Sequence, residues 1–104
     1  MFQKLKILLG FAPEVVYADL MKEGAVIVDV RSKDEFRGGH IKGSVNMPLP
    51  QLQNMVSTLS KEKVIITCCA SGMRSASAKS ILKSNGYARV YNGGGWMRLK
   101  NKIE

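Results

Sequence analysis

The 104 residues predict one α/β domain built on a largely parallel sheet. Three observations support this. Short β-branched apolar runs occur at residues 25–30 and 64–68. Stretches with apolar residues at helical spacing fall between and after them, and glycine or proline punctuates the junctions. The length suits a modest single core that needs no disulfide. A hydrophobic fraction of 45% is ordinary for such a domain, and no repeat or low-complexity linker divides it.

Residues 1–12 have a basic end and a short apolar block that Pro13 and Glu14 interrupt. Although Val16-Tyr17-Ala18 could pass for a cleavage site, the block is short for a secretory signal and reads as an amphipathic segment, packed or peripheral. The folded domain is expected over residues 13–104. Gly24 opens the strand Ala25-Val26-Ile27-Val28-Asp29-Val30, buried by its composition. Ser32 or Asp34 starts a brief helix through Phe36, and Gly38-Gly39 breaks it. Ser44-Val45-Asn46-Met47 reads as a short strand stopped by Pro48 and Pro50. Leu52, Met55, Val56 and Leu59 recur at helical spacing. Residues 64–68 form the central strand. A helix over residues 75–84 then sets Ala78, Ile81 and Leu82 on one face and ends at Asn85-Gly86. Arg89-Val90-Tyr91-Asn92 is the last strand; three glycines follow it, then a short helix with Trp96, Met97 and Leu99.

Composition narrows the chemistry. The only two cysteines, Cys68 and Cys69, are adjacent and make a poor structural bridge, so a reducing, cytoplasmic setting is expected. With one distant histidine, His40, they give no zinc spacing, and neither a metal nor another cofactor is expected. No run approaches the roughly 20 apolar residues of a membrane span, so no transmembrane segment is expected. The net charge is +8, and residues 60–104 hold nine basic and two acidic groups. A field of that sign attracts small anions or an acidic partner; solvated lysines on helix faces would give the same count. Nucleic acid is not expected as a partner, because no aromatics interleave the basic residues.

The candidate catalytic residue is Cys69. A buried strand ends there, and Ala70, Ser71, Gly72, Met73, Arg74 and Ser75 follow as a tight loop entering a helix at Ser75. A helix N-terminus, inward-aimed amides and a guanidinium each stabilise an anionic sulfur. The opposing reading is a buried, inert thiol. Strand alternation sends Cys68 to the other face, into the core. Arg74 could meet a substrate anion or a carboxylate such as Asp29. Asp29 and Arg31 read as an internal salt bridge, and His40 as a structural histidine tied to backbone carbonyls. Gly93-Gly94-Gly95 lacks the spacing of a dinucleotide fingerprint, and Trp96 and Met97 read as packing residues, near the rim of the cleft.

Together these segments resemble the single-domain rhodanese family of sulfurtransferases. Asp29-Val30-Arg31, Glu35-Phe36, residues 39–46 and Pro48 look like its first block. Residues 69–75 are similar to its active-site loop, and Gly86-Tyr87 with Gly94-Gly95 to its closing elements. The match runs over about residues 14–100. One departure is Leu99, which stands where the family often has tryptophan, with Trp96 shifted earlier. The resemblance implies a rhodanese-like fold, a five-stranded parallel sheet flanked by helices. It also implies a persulfide on Cys69 surrounded by the amides of residues 70–75, with Arg74 orienting a small anionic sulfur donor such as thiosulfate. The acceptor would be cyanide, a thiol or a protein cysteine. No oligomeric state follows from these residues.

Two rivals stand beside this reading. Counted from Cys68, five residues precede Arg74, the spacing of cysteine-dependent phosphatases and related arsenate reductases. Thr67 stands where those phosphatases usually carry histidine, and counting from Cys69 puts Gly72 where the rhodanese pattern expects it, so sulfur transfer is favoured. The other rival is a non-catalytic rhodanese-like binding module, made less attractive by the presence of the cysteine.

Overall fold

A computed structural model describes residues 14–104. The amphipathic segment expected over residues 1–12 lies outside them. In chain order the elements are α1 (Tyr17–Lys22), β1 (Val26–Asp29), α2 (Lys33–Arg37), β2 (Val45–Asn46), α3 (Leu49–Met55) with a 3-10 turn at Val56–Thr58, β3 (Ile65–Cys69), α4 (Met73–Ser84), β4 (Val90–Gly95) and α5 (Trp96–Ile103). The sheet order is β2-β1-β3-β4, and every pairing is parallel.

The fold class is the expected one, and the strand count differs. Four strands, not five, pair among the described residues. Val15 and Val16, the β-branched pair ahead of α1, stay exposed and join no ladder.

Both faces of the sheet are covered, as parallel sheets require. Toward α3 and α4, Val28, Val30, Ile65 and Cys69 pack with Leu52, Ala78, Leu82 and Tyr87. Toward α1 and α5, Ile27, Ile66 and Cys68 pack with Leu20, Ile41 and Leu99. The alternation along β3 therefore puts the two thiols in separate cores. Tyr17 reaches across from α1, its hydroxyl donating to the Asn92 carbonyl at 2.9 Å.

Local chemistry sets the boundaries. Ser32 caps α2 in a reciprocal box with Glu35: the Glu35 amide donates to Ser32 Oγ, and the Ser32 amide to Glu35 Oε1. Pro50, read from sequence as part of a strand stop, lies in the first turn of α3, where its missing N–H costs nothing. The helix expected from Ser75 begins two residues earlier, at Met73, because Gly72 turns the chain at φ +107°. The last strand also runs further than residues 89–92 suggest, continuing through the glycines to Gly95. There the backbones nearly touch, and a Cβ on Gly95 would lie 2.9 Å from the Ala70 carbonyl oxygen. Between the pairs Thr67↔Asn92 and Cys69↔Gly95 the ladder shifts, β4 carrying one residue more than β3. This bulge sits beside the cysteine loop, a common position for such irregularities.

One buried ion pair closes the end of β1 and ties it to the segment after α2. Arg31 holds Asp29 through two donors, Nε to Oδ1 at 2.9 Å and Nη2 to Oδ2 at 2.6 Å. It also donates to the Gly39 carbonyl at 2.7 Å and lies 4.7 Å from the Trp96 ring centroid. Breaking one partner of such a pair typically costs about 3–5 kcal/mol, since the other charge is left buried. The internal bridge expected from sequence is therefore present, and it positions loops.

Candidate active site

Cys69 closes β3 at the carboxyl end of the sheet, where parallel α/β folds place their ligands. Its Sγ accepts the Gly72 amide at 2.9 Å and the Ser75 amide at 3.4 Å. Ser75 Oγ lies 3.5 Å away. Burial by itself would push this thiol up; the donors that face it, the amides of Ser75, Gly72 and Ser71 among them, outweigh it, so the group sits below the ordinary cysteine value. The sulfur is recessed, the residue being only 1% exposed, but its immediate neighbours are donors.

Cys68 has the opposite surroundings. Burial, followed by the Asp29 charge, pushes it up to about 12, which leaves it a neutral thiol at any working pH. Position 69, not 68, thus stands at the base of the loop.

The other loop residues divide by role. Met73 and Arg74 open α4, and helix geometry leaves first-turn amides without an intrahelical acceptor. Ala70, Ser71 and Met73 are exposed around the mouth, while Ser75 is fully buried. Arg74 is not paired with Asp29. Its Nη1 and Nη2 lie 2.7 and 3.0 Å from the two carboxylate oxygens of Glu35. That guanidinium, and then the Ser32 amide, hold the Glu35 carboxyl down at about 2. Both side chains remain more than a third exposed, at 39% and 38%, so a dissolved anion can reach the guanidinium.

Arg74 also lines an open cleft of about 790 Å³ beside the loop. Val30, Leu49 and Met55 give it apolar walls and Lys33 adds positive charge, while Arg37 is paired with Asp34 on the same wall at 2.7 Å. Its volume falls in the range that small-molecule sites occupy. His40 takes no part: its Nδ1 lies 2.7 Å from the Phe36 carbonyl oxygen, and its ring stacks on Phe36 at 3.7 Å. Met97 is exposed, and Trp96 packs beside Gly39 and Arg31. No group of three or more metal-ligating side chains occurs among the described residues.

Sequence reasoning missed Asn92 and the pairing of Glu35. The Asn92 side chain reaches Ser75 Oγ at 2.6 Å and accepts the Gly94 amide at 2.9 Å, facing the site from the bulge. Its one sequence signal is a polar residue placed directly before three glycines. Glu35 lies 39 positions from Arg74, and no spacing rule joins residues so far apart.

Comparison with known proteins gives one family. A model described as "Rhodanese-like domain" matches residues 12–102. "Uncharacterized protein YqhL" of Bacillus subtilis (strain 168) is 37% identical over 81 residues, covering 77% of this chain and 64% of that protein. The chain thus spans less than two thirds of that relative's length. "Thiosulfate sulfurtransferase GlpE" of Stutzerimonas stutzeri (strain A1501) is 33% identical over 87 residues, 84% of this chain and 79% of that protein. Among solved structures, a human single-domain sulfurtransferase, TSTD1, superposes with a TM-score of 0.71 at 25% identity, covering 85% of this chain and 91% of that one.

Proposed function

The chain belongs to the rhodanese-like domain family, and from that premise we propose that it is a sulfurtransferase with Cys69 as its sulfur carrier. In the first half-reaction the Cys69 thiolate attacks the outer sulfur of a small anionic donor such as thiosulfate. An S–S bond forms at Sγ, the donor's S–S bond breaks, and sulfite leaves with the bonding pair. In the second, a thiophilic acceptor (cyanide, a thiol or a protein cysteine) attacks the terminal sulfur, and the thiolate of Cys69 departs. The amides of residues 70–75 are the binding groups assigned to the donor and the transferred sulfur. Arg74 adds a guanidinium that an incoming anion can share with Glu35.

The observation that carries this reading is the sulfur of Cys69 accepting the Gly72 and Ser75 amides at the start of α4. The phosphatase alternative needs Cys68 as nucleophile, and that thiol is buried in the opposite core with its ionisation suppressed. The test is intact-mass measurement after incubation with thiosulfate. Wild type and Cys68→Ser are expected to gain one sulfur atom and release it to cyanide as thiocyanate. Cys69→Ser is expected to gain none. Phosphoester hydrolysis lost in Cys68→Ser would support the alternative instead. Wild type that never takes up sulfur from thiosulfate or a small organic persulfide would leave a binding module.

A further inference from the structure

Behind the sulfur, three acceptors compete for one hydroxyl proton. Ser75 Oγ faces three possible acceptors: Asn92 Oδ1 at 2.6 Å, the Gly72 carbonyl at 3.0 Å, and Cys69 Sγ at 3.5 Å. A hydroxyl carries one hydrogen and serves one acceptor well. The orientation of the Asn92 amide decides which. The Gly94 N–H points at it from 2.9 Å, and only an oxygen can accept there, so Oδ1 rather than Nδ2 faces Ser75. Oδ1 has no hydrogen to give, and two oxygens 2.6 Å apart need one between them. The proton must come from Ser75. The Gly72 carbonyl, for its part, already receives the Ala76 amide at 3.1 Å and Asn92 Nδ2 at 3.4 Å.

We propose that Asn92 is a positioning residue that takes the only hydroxyl proton of Ser75 and so keeps it off Cys69. The thiolate is then held by backbone amides alone, and Ser75 Oγ can only accept, from the thiol while it is protonated. Turning the hydroxyl toward a thiolate would leave two bare oxygens in contact at Asn92. This matters for sulfur transfer because a thiolate stabilised by more donors attacks more weakly. Asn92 therefore trades some ionisation of Cys69 for nucleophilic strength. The inference rests on Cys69 being the sulfur carrier, but its test does not require transfer to occur.

The other charged or titratable groups around Cys69 are Arg74 on α4, the neighbouring Cys68, and on β1 Asp29, which Arg31 neutralises. On β4, Tyr91 packs on the opposite face. All of these stay the same through the following variants, so differences report the hydroxyl. The measurement is the rate of Cys69 alkylation by iodoacetamide against pH, in a Cys68→Ser background, followed by mass spectrometry. Ser75→Ala is expected not to raise the inflection of the pH profile, because the hydroxyl gives the thiolate no proton. Asn92→Ala frees the hydroxyl to turn to sulfur and is expected to lower the inflection by about one unit, the size of one hydrogen bond to a charged group. Adding Ser75→Ala to Asn92→Ala is expected to cancel that shift.

An inflection that rises by about a unit in Ser75→Ala would overturn the proposal even if Asn92→Ala failed to fold. So would a drop in Asn92→Ala that survives without the hydroxyl, or an inflection there that stays or rises while only the melting temperature falls. Wild type that takes up no sulfur, with the alkylation pattern as described, would remove the sulfurtransferase reading and leave the role of Asn92 standing.

Discussion

Two carboxylates near the cysteine loop bind arginine in different ways, and solvent access separates them. Asp29 is fully buried against Arg31 and belongs to the framework. Glu35 meets Arg74 in the open, where an ion pair is worth at most about 1 kcal/mol after screening. Its carboxyl is depressed to about 2, against roughly 4.3 in an unfolded chain. A depressed carboxylate contributes stability above its unfolded value and loses it as pH falls toward the folded one. The stability difference between wild type and Glu35→Gln, from urea unfolding, is expected to be flat above about pH 5 and to shrink below about pH 4. A difference that instead grows on acidification would show that the carboxylate is not held by Arg74.

At the scale of elements, the cysteine loop is shaped from both sides. Gly72 turns the chain so that its own amide and that of Ser75, in the first turn of α4, meet the Cys69 sulfur at the end of β3. Gly95 lets the end of β4 lie against Ala70. A methyl group at 95 would press on a backbone oxygen that cannot swing aside, as a flexible side chain could. Gly95→Ala is therefore expected to destabilise the domain by about 1–3 kcal/mol, the usual range for overpacking. It is also expected to slow sulfur loading, because the displaced atom belongs to the loop. Urea midpoints and single-turnover loading would measure the two effects. An unchanged loading rate would mean that the β4 contact does not shape the loop.

Over the whole molecule, charge is the property with reach. Of the basic groups in residues 60–104, Arg74 lies at the cleft; Arg89 is occupied by Glu23 at 3.0 Å. If the summed field steers small anions, loading from thiosulfate is expected to slow as salt rises from low to about 0.15 M, where the screening length falls to about 8 Å. A neutral organic persulfide should show little change. Equal salt dependence for both would assign the effect to the protein's stability and not to steering.

Much of this was legible in the residues. β-branched runs marked β1 and β3, Ser32 was one of two candidates for the start of α2, and the alternation at Cys68-Cys69 sent the two thiols to opposite faces of the sheet. Those features obey short-range rules of periodicity, capping and side-chain alternation, which act within a few residues and need no partner. Long-range geometry decided the rest. Arg74 found Glu35 rather than Asp29, the last strand ran on through its glycines, and Asn92 came to rest against Ser75. Such contacts depend on where a folded sheet brings distant segments together, and the linear order of side chains carries no record of that distance.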